Sequence, residues 1–275
     1  MFYVGEKVMS LSATKESQSP SMLTRSVFLG QIFFGKVLFD KKTYILIFVS
    51  ILPLLPYLNT SSAAINDYLE IIVIGDETNI FNFLILPLIC LILGISAISD
   101  EKENKTISQF LSRPVKREEI VLVKWITVLV IGVTIACLDA LIIYIGLCFI
   151  VNDFTILKLD ILIGTWLFVG LWVVVYSTIF LLLGIVIDKN ALGWGLAIAY
   201  FEVFFGQFIF GFAGGGNSPY SISNHIYHVT AEFFLADFEF SILDFEPLNS
   251  LIVCFTLIIS FLLLSMFAMR RKDFP

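Results

Sequence analysis

The chain has 275 residues, 58% of them hydrophobic and only 15% charged, with a mean hydropathy of +0.94. A soluble domain carries roughly a quarter charged residues, so this balance excludes an ordinary soluble enzyme or nucleic-acid binder. The formal net charge of −6 says little about partners, because the charges are sorted along the chain.

Residues 1–22 are rich in Ser, Thr, Lys and Glu and are expected to form a disordered cytoplasmic tail. A single membrane domain is expected over residues 23–275. No apolar h-region opens the chain, so no signal peptide is expected. From Leu23 to Asp40 an apolar stretch is interrupted by Arg25, Gln31 and Lys36. It is too short to span and reads as a helix lying in the inner membrane interface. Lys41 and Lys42 then mark the headgroup level.

Six apolar runs follow, and a spanning helix needs about 20 mostly apolar residues. They lie near Tyr44–Leu58, Ile80–Ser99, Trp125–Ile150, Ile161–Ile187, Ala191–Phe212 and Leu248–Met269. The predicted architecture is therefore all-α, a polytopic integral membrane protein with six transmembrane helices. Pro53 and Pro56 should kink or shorten the first span. The fifth holds Gly193, Gly195, Gly206 and Gly211, which suits close helix packing. Between the fifth and sixth spans, Ala213 to Pro247 reads as one or two short helices at the outer surface.

With the N-terminus inside, Lys158 alone among the 17 Lys and Arg residues falls outside. The positive-inside rule then places both termini in the cytoplasm. The outer loops are acidic, as hydrated loops commonly are. Cys90, Cys137, Cys148 and Cys254 all lie in apolar runs and read as small buried hydrophobes.

The cytoplasmic segment between the second and third spans is long for a turn. It runs from Ser99 through Asp100, Glu101, Lys102, Glu103 and Lys105 to Arg117, Glu118 and Glu119. Within it, Ile107, Phe110 and Leu111 share one helical face, and Arg113-Pro114 breaks the helix before a new start. An apolar trio among so many charges reads as a protein-docking surface.

Two carboxylates, Asp139 and Glu202, sit near the middle of the third and fifth spans. Intramembrane carboxylates are costly and often line a pathway, although a bond to Ser, Thr or Tyr would make them helix glue. His225 and His228, with Glu232 beyond, are spaced to share one helical face. A structural role for this pair is favoured over a metal site, and no metal is assigned. Gly75-Asp76 lies in an outer loop and is discounted as a protease motif. No GxxxxGK[ST] loop occurs, so any ATP must be bound by another chain.

The segment Ile98 to Lys124 resembles the cytoplasmic loop of ABC-2 type transporter permeases. Glu101, Glu103, Ser112, Pro114, Val115 and Lys124 match the pattern; Lys116 and Val123 depart from it, where Ser and Gly are common. The branch resembled includes the nitrous-oxide reductase maturation permease and exporters of antibiotics, bacteriocins and lipids. The resemblance implies a non-enzymatic permease subunit of an ATP-driven exporter in the cytoplasmic membrane. It implies a permease dimer, read here as a homodimer, and a separate ABC ATPase that holds ATP and Mg. It places a coupling helix at Thr106 to Leu111, with Glu101, Glu103, Ile107, Phe110, Leu111, Arg113 and Pro114 as ATPase-coupling residues. A short outer helical element is implied at Ser221 to Phe245. Spans two and five would line the central pathway, bringing Glu202 near the substrate. No cofactor in this chain and no nucleic-acid partner are implied, and membrane lipid surrounds it. The alternative is a proton-coupled secondary carrier using Asp139 and Glu202 as relays, which leaves the docking loop without a purpose.

Overall fold

The computed structural model describes residues 22–49, 85–103, 116–151, 159–204, 221–234 and 247–272. Every element among them is helical: α1 (Met22–Leu38), α2 (Lys41–Val49), α3 (Leu86–Glu103), α4 (Arg117–Val151), α5 (Leu159–Val186), α6 (Ala191–Phe204), α7 (Ile222–Phe234) and α8 (Pro247–Arg271). Three helices are long and apolar enough to cross a membrane: Arg117–Ile150, Leu162–Val186 and Leu248–Arg271. They coincide with the expected third, fourth and sixth spans. Helices α2, α3 and α6 occupy parts of the other three expected spans, whose remaining residues lie outside the described ones.

α5 is the hub, packing against α3, α4, α6, α7 and α8. Its side chains explain why. Phe168, Trp172, Tyr176 and Phe180 recur every fourth residue, so they stack along one face of the helix. Successive ring centroids are 5.5, 4.9 and 6.1 Å apart, and all four rings are buried. Two glycines let α3 lie close against this hub. A Cβ at Gly94 would stand 2.8 Å from the Cβ of Phe180 and 3.1 Å from the Ser177 carbonyl oxygen. At Gly184 a Cβ would stand 2.9 Å from the Ile95 carbonyl oxygen. Backbone cannot swing aside as a side-chain tip can, so Gly94→Ala is expected to destabilise by about 1–3 kcal/mol. Gly170→Ala, where a Cβ meets nothing within 4 Å, should keep or slightly raise the apparent melting temperature in detergent, since Ala is the better helix former, and serves as the control.

The outward faces remain apolar. Ile126, Val130, Leu138 and Ile142 on α4, and Ile252, Phe255, Ile259 and Leu263 on α8, are exposed, which suits lipid contact. α1 turns Leu29 and Phe33 inward against Val123 of α4 and leaves Val27, Phe28 and Ile32 exposed. At the corner into α2, the Asp40 side chain accepts from the Lys42 backbone N–H at 3.3 Å in the manner of an N-cap. The short turn from α5 to α6 holds Asn190 at φ 56°, a left-handed conformation that Asn tolerates better than most side chains.

α4 begins where a new helix was expected after Arg113-Pro114, with Glu118 and Glu119 in its first turn. Its 35 residues span about 52 Å at 1.5 Å per residue, against a hydrocarbon core of about 30 Å. The helix therefore continues well beyond its apolar run, through Arg117–Lys124. α3 likewise stays helical through Asp100–Glu103. Both legs of the charged segment are thus rigid extensions of expected spans.

Candidate functional site

The charged ends of α3 and α4 meet. Glu101 and Lys124 are both buried, with side chains 2% exposed, and their Oε2 and Nζ atoms lie 2.5 Å apart. The Lys124 ammonium also donates to the Ala97 carbonyl oxygen and sits 4.6 Å from the centre of the Phe33 ring. Lys36 of α1 approaches the same carboxylate at 3.7 Å. Beside this group, Lys42 Nζ donates to both Asp100 oxygens at 2.8 Å. One ionic cluster thereby ties α1, α2, α3 and α4 together. A buried charge persists only when paired and hydrogen-bonded, and Lys124 is provided with a carboxylate, a carbonyl and a ring face.

A second cluster closes the ends of α5 and α8. Lys102 Nζ donates to the Gly184 and Ile185 carbonyls at 2.7 and 2.6 Å, and Lys272 Nζ to those of Ile185 and Val186 at 2.7 and 2.9 Å. Asp188 Oδ1 bridges the two ammoniums, at 3.3 and 2.5 Å. Arg117 of α4 donates to the carbonyls of Met269, Arg270 and Lys272 at the end of α8. Arg270 pairs with Glu118. Cations here satisfy the orphan carbonyls and the negative end of each helix dipole. Burial pushes the Lys102 ammonium down to about 8, Lys272 adds to the fall, and Asp188 opposes it. The hydrogen bond from Lys272 holds the Asp188 carboxyl below its ordinary range. Ile98, Val121, Leu181, Ile185 and Met269 form a small apolar core where α3, α4, α5 and α8 meet.

Toward the other end of the bundle, Glu202 of α6 reaches the start of α7. Its Oε1 accepts from the Ser221 hydroxyl at 2.9 Å and from the backbone N–H groups of Ile222 and Ser223 at 2.8 and 3.4 Å. The Tyr176 hydroxyl donates to Oε2. The carboxylate of one helix thus caps the N-terminus of another, meeting orphan donors with negative charge where the dipole favours it. Asp139 is buried in α4. α4 packs on α1, α3, α5 and α8, and α6 on α3 and α5; none of the hydrogen bonds of Glu202 described above involves Asp139. His225 and His228 are buried, and their Nδ1 atoms lie 3.0 and 3.2 Å from the single Ser250 hydroxyl of α8. One hydroxyl proton serves only one of them as donor. The Glu232 side chain lies outside the described ones. Among the described residues no group of three His, Cys, Asp or Glu could hold a metal.

This arrangement ties the charged ends of α3 and α4 to the rest of an apolar bundle. A family model described as ABC-2 family transporter protein matches residues 7–263. The chain belongs to the ABC-2 transporter family. No curated protein matches it in sequence. It is accordingly an integral membrane protein and an ABC-2 type permease.

In this ABC-2 permease, Glu101 and Lys124, matched separately in the sequence pattern, are partners in space. Glu101, expected among the ATPase-coupling residues, is buried with its carboxylate against Lys124. Glu103 ends α3, with its side chain outside the described ones. Ile107, Phe110, Leu111, Arg113 and Pro114, and the coupling helix Thr106 to Leu111, lie outside the described residues. So does the expected tail, up to residue 21. Sequence reasoning passed over Phe33, and it gave Lys102, Arg117 and Lys272 no role beyond charge on the inner side. A signal did exist for the cations, since Lys and Arg near the ends of apolar runs commonly cap helix C-termini.

Proposed function

We propose that the chain is the membrane-spanning permease subunit of an ATP-driven ABC exporter, with a separate ABC ATPase docking on the loop 100–120. The observation that carries this reading is the family match over residues 7–263. The Glu101–Lys124 pair supports the mechanical part, because it joins the helices on either side of the loop. Closure of ATP-bearing partner subunits would press on the segment around Ile107, Phe110 and Leu111. The helical extensions of α3 and α4, held by the pair, would carry that push to α5 and α8 through their packing. Lys36 of α1 would move with them. In this reading two permease chains form a homodimer in the cytoplasmic membrane, with both termini cytoplasmic, and ATP and Mg stay in the ATPase. The permease itself carries out no chemical step. The family assignment favours this reading over a proton-coupled carrier built on Asp139 and Glu202.

The test is affinity purification of the chain from its native membrane. A soluble P-loop ATPase is expected to co-purify, and Phe110→Asp is expected to remove it while the permease remains folded. A preparation free of ATPase, or one in which Phe110→Asp retains it fully, would remove the docking role.

A further inference from the structure

A cleft opens between α1, the start of α2, α3 and α4, directly over the buried Glu101–Lys124 pair. Its walls are of two kinds. Val37, Leu93 and Val128 line its apolar part, while Lys36, Asp40, Lys42 and Asp100 line its polar part. The outward surface of α1 and α2 is strongly apolar beside it, with Phe39 and Phe48 each 72% exposed. Lys41 and Lys42 directly precede the first apolar run, which sets this rim at headgroup depth. An opening with an apolar wall, a charged rim and a lipid-facing flank fits an amphiphile, not a soluble ion.

The rim charges select which amphiphile. Two ammoniums, with side chains 50% and 44% exposed at Lys36 and Lys42, stand beside two carboxylates, Asp40 and Asp100. A headgroup bearing only negative charge meets as many carboxylates as ammoniums. A headgroup with both signs can lie antiparallel to the Lys42–Asp100 pair, its phosphate toward the lysines and its cation toward the carboxylates. A primary ammonium donates hydrogen bonds to those carboxylates, which a quaternary one cannot. We infer that this cleft holds one zwitterionic phospholipid of the ethanolamine type, drawn from the adjoining leaflet, with its acyl chains along α1 and α2. Such a lipid would fill the seam between α1 and α3 and brace the ion cluster beneath it.

The test uses the full chain reconstituted in vesicles with equal parts phosphatidylethanolamine, phosphatidylcholine and phosphatidylglycerol, followed by gentle detergent extraction and native mass spectrometry. One phosphatidylethanolamine per chain is expected to be retained preferentially. The double variant Lys36→Gln/Asp40→Asn should lower that retention about tenfold, as expected when roughly 1.4 kcal/mol of headgroup contact is lost; Asn at position 40 keeps the helix cap. A second variant, Ser96→Phe, places a ring in the cleft from its α3 wall and should abolish retention, with circular dichroism checking that helix content is kept. Preferential retention of phosphatidylglycerol, equal retention of all three lipids, or retention unmoved in both variants would each overturn the assignment.

Discussion

Lys124→Met is expected to destabilise the permease by about 3–5 kcal/mol, the cost of leaving one member of a buried ion pair without its partner. Glu101→Gln should cost a similar amount, because Lys124 then remains charged with only a carbonyl, an amide and a ring around it. The double variant Glu101→Leu/Lys124→Met removes both charges and is expected to be more stable than either single one, since apolar replacement of a whole buried pair is often neutral. Apparent melting temperatures in detergent measure all three. Additive losses would mean that the two groups do not act as a pair. Glu101→Lys would be a poor probe of docking. With Lys36 3.7 Å and Lys124 2.5 Å from the native carboxylate, it gathers three ammoniums in one place and would damage the fold before it tested docking. The double variant also separates fold from function. If the pair transmits motion from the loop, ATP-driven transport should stay impaired after stability has returned; full transport at restored stability would make the pair purely structural.

What the sequence disclosed, and what it did not, follows from where the information is stored. The long apolar runs at Trp125–Ile150, Ile161–Ile187 and Leu248–Met269 were legible because hydropathy is a local property of a segment. The loop pattern around Glu101, Pro114 and Lys124 was legible as a resemblance. Its meaning was not, because the pairing of Glu101 with Lys124 spans 23 positions and needs two helices to lie side by side. The same holds for the glycines. Composition pointed to the Gly-rich fifth span for close packing, and Gly195 does lie close on Leu91 and Ile95 of α3; Gly94 and Gly184, spaced singly in other runs, bring α3 and α5 together at backbone distance as well. Lys102 and Lys272 read as inside anchors by charge. Only the fold shows that both ammoniums end on carbonyls of one helix, α5. The His225 and His228 spacing correctly put both rings on one helical face, but the hydroxyl between them comes from Ser250 of α8, beyond any local pattern.

Glu202→Ala is expected to release the N-terminus of α7 and to cost about 2–4 kcal/mol, summing a lost cap with a stranded buried hydroxyl. The donors left behind are specific: the Ser221 hydroxyl, the N–H groups of Ile222 and Ser223, and the Tyr176 hydroxyl. Hydrogen exchange should therefore quicken at Ile222 and Ser223 and along α7, with α3 and α5 unaffected. Glu202→Gln is the informative companion. Its amide oxygen can keep the three donors now served by Oε1, while its NH2 turns toward Tyr176, whose hydroxyl oxygen can accept. Exchange at Ile222 and Ser223 should then stay close to that of the native chain, with only the charge lost. This divides the two roles considered for the residue. A structural cap predicts normal transport in Glu202→Gln and impaired assembly in Glu202→Ala. A carboxylate that contacts the transported molecule predicts that Glu202→Gln loses transport while α7 remains fully protected. The geometry favours the cap, since both carboxylate oxygens already accept hydrogen bonds from the protein, and a transported group would have to displace at least one of them.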